Sequence, residues 1–107
     1  MEKEKIDVRI FLGEMGFGSP PKMSKGEILK IFYDAEDSFS ENNLPYTYVE
    51  EFSQRGDGSG YETFWVFKRK SDDKYFYYYS YDGRFEYDEL VETEKIVKSK
   101  WAFECSY

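Results

Sequence analysis

Histidine is absent from this 107-residue chain. With it go the commonest general base, the usual metal ligand, and any Ser-His or Cys-His nucleophile pair. A single cysteine, Cys105, rules out an intramolecular disulfide and leaves zinc with one thiolate at most. Third from the end of the sequence, that thiol reads as incidental rather than nucleophilic. No apolar run approaches the roughly 18 residues that a membrane span needs. The N-terminal stretch MEKEKIDVRIFLG holds no apolar stretch of signal-peptide length, so a cytoplasmic setting and no membrane partner are expected. Basic residues are also in deficit: 15 Lys and Arg stand against 22 Asp and Glu, a net charge of −7. Such a balance opposes phosphate backbones, so direct nucleic-acid binding is not expected.

Phosphate-binding and metal-binding motifs are missing too. Gly13, Gly16 and Gly18 fit neither G-x-G-x-x-G nor the P-loop, whose lysine is lacking. The segments around Asp57-Gly58-Ser59-Gly60 and Asp72-Asp73 lack the regular oxygen-ligand spacing of a calcium loop and read as turns. Arg55-Gly56-Asp57 matches an adhesion tripeptide by coincidence. Glu50/Glu51 and Asp88/Glu89 are the candidate carboxylate pairs, but neighbours on a strand point to opposite faces and do not converge. No cofactor, metal or catalytic residue is assigned from the sequence.

What is present is aromatic. Eleven Tyr and ten Phe bring the aromatic share to 21%, which supplies a core and argues against disorder. One domain covering 1–107 is the natural size. Ile6, Val8, Ile10 and Leu12 alternate and predict a first strand. The run 13–21, with three Gly and two Pro, predicts a loop that carries Met15 and Phe17. Ser24 and Glu27 form the S-x-x-E capping box. Ile28, Ile31, Phe32, Ala35 and Phe39 then fall on one stripe of an amphipathic helix, about 25–41. Asp34, Asp37 and Glu41 lie opposite, and acids late in a helix oppose its dipole.

Beyond Pro45 the pattern is β. Strands are predicted over 46–54, 61–70 and 74–81, with a short one over 84–87. A glycine-rich turn over 55–60, a turn at Ser71–Lys74 and a tight Asp82-Gly83 turn connect them. Val91, Thr93, Lys95, Val97, Ser99, Trp101 and Phe103 alternate as one long final strand. The expected fold class is α+β: an antiparallel β-meander of four to six strands with one amphipathic helix, about 25–41, packed on one face.

Charge is concentrated as well. Between residues 34 and 62 stand Asp34, Glu36, Asp37, Glu41, Glu50, Glu51, Asp57 and Glu62 against Arg55 alone, eight against one. A second run holds Asp82, Glu86, Asp88, Glu89, Glu92 and Glu94 against Arg84, six against one. Two acidic blocks on a small domain offer a partner's Lys and Arg the ion pairs that DNA or RNA would offer, and they steer association. The expected function is therefore that of an acidic protein inhibitor. It would block the basic surface of a nucleic-acid-handling enzyme, in the manner of a phage or mobile-element product of the anti-CRISPR or anti-restriction type. Asp34, Asp37, Glu41, Glu50 and Glu51 are the expected charged contacts, and Met15, Phe17, Tyr46 and Tyr48 the apolar ones. Two other readings use the same sequence. One is a toxin-neutralising immunity protein. The other is a single-strand nucleic-acid module that stacks bases on Tyr75, Tyr77, Tyr78, Tyr79 and Tyr81.

Overall fold

The computed structural model describes residues 3–18, 22–55, 60–81, 84–85, 88–96 and 100–101. In chain order these form β1 (Lys5–Asp7), α1 (Val8–Glu14), α2 (Lys25–Tyr33), α3 (Ala35–Ser38), β2 (Tyr46–Arg55) and β3 (Tyr61–Arg69). They continue as β4 (Tyr75–Tyr81), β5 (Arg84–Phe85), β6 (Glu89–Thr93), β7 (Lys95–Ile96) and β8 (Lys100–Trp101). The main sheet runs β1-β6-β4-β3-β2, all antiparallel, with β5 paired to β4. The fold is the α+β meander that the strand pattern predicts, closed at its far edge by the N-terminal segment.

Strands β3 and β4 form the centre, and both of their faces are buried. On one face Trp65, Phe67, Phe76 and Tyr78 share a cluster with Val8, Phe11, Leu12, Ile28, Phe32, Ala35 and Phe39. Phe32 stacks on Tyr78 with ring centroids 4.2 Å apart, and Phe11 and Phe39 meet Phe67 edge-on at 4.9 and 5.0 Å. Edge-to-face pairs of this kind add to the burial of the rings themselves. On the other face Phe64, Val66, Tyr77 and Tyr79 form a second cluster. Gly60 leads into β3 where a Cβ would lie 2.6 Å from the Tyr81 ring, so no larger residue fits without moving that ring.

Three expectations are corrected. The first predicted strand, Ile6 to Leu12, becomes a helix at Val8 because a second period is hidden in the same residues. Val8, Phe11, Leu12 and Met15 stand at i, i+3, i+4 and i+7, and all four are buried. Ile10, which strict alternation would bury, is 62% exposed. Asp7 caps the new helix by accepting from the amides of Arg9 and Ile10 at 2.8 and 3.3 Å.

The second correction concerns the helix over 25–41. Its capping box forms as expected: Glu27 N donates to Ser24 Oγ and Ser24 N to Glu27 Oε1, each at 3.2 Å. The helix then breaks at Asp34 into α2 and α3, and Glu41 falls beyond both. The break puts Glu36 and Asp37 into the first turn of a new segment, where acids complement the backbone dipole instead of opposing it.

The third is the long final strand. It is interrupted after Thr93, and Lys95–Ile96 folds back onto Lys100–Trp101 as a separate two-stranded ribbon. Residues 82–83, 86–87, 97–99 and 102–107 lie outside the described residues, and with them the Asp82-Gly83 turn and Cys105. Most of the glycine-rich turn, 56–59, lies outside them too.

Candidate functional site

β2 is a long edge strand, and its register carries one irregularity. Tyr48 pairs with Phe67 and Glu50 with Val66, which leaves Val49 as the extra residue of a β-bulge. One added residue inverts the faces of everything downstream. Glu51, not Glu50, therefore stands opposite Trp65, on the same face as Tyr48. There its carboxylate accepts the indole N–H of the fully buried Trp65 at 2.9 Å.

The hinge at Asp34 faces this strand. Between them lies an open groove of about 520 Å³. Tyr33, Asp34, Ala35, Glu36 and Asp37 form one wall, and Tyr48, Val49, Glu50 and Glu51 the other. Among the described residues, five carboxylates and no base line it. An adjoining hollow of about 260 Å³ continues along the strand past Thr47, sharing Glu36 and Tyr48 with the first. Glu41 lines this second hollow together with Lys70, whose ammonium donates to Asn42 O at 2.6 Å.

The Tyr48 hydroxyl reports the field in the groove. Burial and then the charges of Glu51, Glu36 and Glu50 push its pKa up to about 12.

The expected contact residues divide. Asp34, Asp37, Glu50, Glu51 and Tyr48 come together in the groove, with Glu41 next to it. Met15 and Tyr46 do not reach the surface: both are buried in the aromatic cluster, Met15 just past the end of α1 and Tyr46 edge-on to Phe11 at 4.9 Å. Phe17 is half-buried against the same cluster and meets the Phe39 ring at 5.9 Å. The glycine-rich segment thus anchors into the core through these two side chains. Glu62, counted in the acidic window, is also withdrawn; fully buried, it accepts from the Tyr79 hydroxyl at 3.1 Å.

Two exposed apolar residues of the groove were not anticipated, Tyr33 and Val49. Tyr33 lies one position off the apolar stripe, and Val49 is brought out by the bulge, which no sequence pattern announced. Tyr77, Tyr78 and Tyr79 are buried on the two faces of β4, so their rings are not offered as a stacking surface. Among the described residues no three acidic or cysteine side chains are placed to hold a metal ion. Nor is any helix there long and apolar enough to cross a membrane. Comparison of the chain with protein-family models, with curated proteins and with solved structures finds no match.

Proposed function

We propose that this protein is an inhibitor that occupies the basic, nucleic-acid-binding surface of an enzyme. One observation carries the reading: carboxylates far apart in sequence, Asp34, Glu36 and Asp37 against Glu50 and Glu51, line a single groove. A cationic surface built to hold closely spaced phosphates finds in that groove the same density of negative charge. The field that suits such a partner also speeds its capture and weakens with salt.

The test begins with capture of partners from the native host and their identification by mass spectrometry. The captured enzyme is then assayed with and without the inhibitor. The reading expects a basic, nucleic-acid-handling enzyme whose activity falls on addition. The double charge reversal D37K and E50K should keep the fold and weaken binding by about 1–3 kcal/mol for each desolvated contact. Undiminished affinity of that variant at low salt would sink the reading. Capture of a toxin in place of such an enzyme would transfer the same surface to an immunity role.

A further inference from the structure

We propose that the outer edge of β2 takes up an extended, lysine- or arginine-bearing segment of the partner as an added strand. The inference rests on the inhibitor reading and specifies how the partner is held. Its basis is backbone and shape. β2 is the last strand of the sheet and, among the described residues, pairs along one edge only, with β3. A strand edge presents amides and carbonyls that only another peptide backbone satisfies in series.

The space beside that edge is elongated. Its two hollows adjoin at Glu36 and Tyr48 and follow the strand from Thr47 to Glu51. Five residues of strand extend about 17 Å at roughly 3.3 Å each, so the groove matches a peptide laid lengthwise rather than an ion or a compact ligand. Exposed Tyr33 and Val49 give its apolar side chains somewhere to lie. Tyr33 and Val49 stand one on each wall beside carboxylates, so the apolar and the cationic side chains of an added strand both find partners along the groove.

Charge then selects among possible occupants. Nucleic acid is repelled. A second copy of this chain would bring the acidic stretch around Glu50 and Glu51 against its own image, and like charges across a strand pair are destabilising. A cationic extended segment alone satisfies backbone, shape and charge together.

The test uses the full chain and three probes at low salt: a peptide of alternating lysine and valine as long as β2, the same peptide N-methylated at alternate residues, and spermine. Binding is followed by NMR, with amide exchange read along β2. The proposal expects the unmodified peptide to bind at least about tenfold more tightly than the N-methylated one. It also expects slowed exchange at β2 amides directed away from β3. Equal affinity for all three probes without such protection would overturn strand addition while leaving the acidic surface intact. The same holds if no probe binds although the native partner remains sensitive to D37K and E50K. Concentration-dependent dimers that protect β2 without any peptide would overturn it in favour of a second copy.

Discussion

Glu51 illustrates how one side chain can serve two ends. It lines the groove, and its carboxylate also satisfies the buried indole of Trp65. Replacing it with Ala leaves that donor without this acceptor, and an unsatisfied buried donor costs about 1–3 kcal/mol. E51A should therefore lower the urea midpoint, whereas E51Q, which keeps an oxygen in reach, should recover much of the loss. Equal midpoints for E51A and the parent chain would remove the indole bond from the account. The consequence for mutagenesis is practical: a substitution at Glu51 changes the groove and the fold together.

At the level of elements, the most legible features were those written in short-range chemistry. The capping box at Ser24 formed as spelled, and S24A should destabilise the protein by about 1 kcal/mol in equilibrium unfolding. The alternation in β3 and β4 and the turn between them specified the central hairpin. Where two periods overlapped, alternation misled: residues 6–12 satisfy both, and the helix prevailed because Asp7 caps it and Val8, Phe11 and Leu12 all reach the core. The break at Asp34 was not legible, since the apolar stripe of Ile28, Phe32, Ala35 and Phe39 runs through it without interruption. Nor was the bulge, because a single extra residue leaves composition and polarity unchanged. The candidate site was legible as a list of acids, but its convergence depended on that break and that bulge, both properties of packing.

Across the whole molecule, the acidic surplus is held in check locally around Arg69, with Lys74 3.6 Å from Glu4 beside it. Arg69 bonds both oxygens of Glu4 at 2.6 and 2.8 Å and both of Asp72 at 3.0 and 2.7 Å, with its guanidinium 4.9 Å over the Phe76 ring. The hydrogen bonds from Arg69 hold both carboxyls below their ordinary values of 4.5 and 3.8, Asp72 at about 2. The folded protein thus binds fewer acid-range protons than the unfolded chain. The clasp's contribution is complete above the ordinary values and is lost as pH falls toward about 2. R69M should flatten the stability profile across that window when urea midpoints are measured against pH. Profiles that stay parallel would show that the acid sensitivity lies elsewhere.

The clasp also has a consequence in time. Glu4 reaches Arg69 across 65 residues, and its amide reaches Glu92 across 88, whereas β2, β3 and β4 are joined by short turns. Closing long loops is entropically slow to reward, so the hairpins are expected to assemble first and β1 to dock last. Contacts absent from the folding transition state act on the escape rate alone. In stopped-flow measurements E4Q, which loosens the clasp from the N-terminal side and leaves the Arg69–Asp72 bonds of the hairpin in place, should refold at nearly the parent rate and unfold faster. The N-terminal strand, the last to arrive, would then be the latch that sets how long each folded molecule survives.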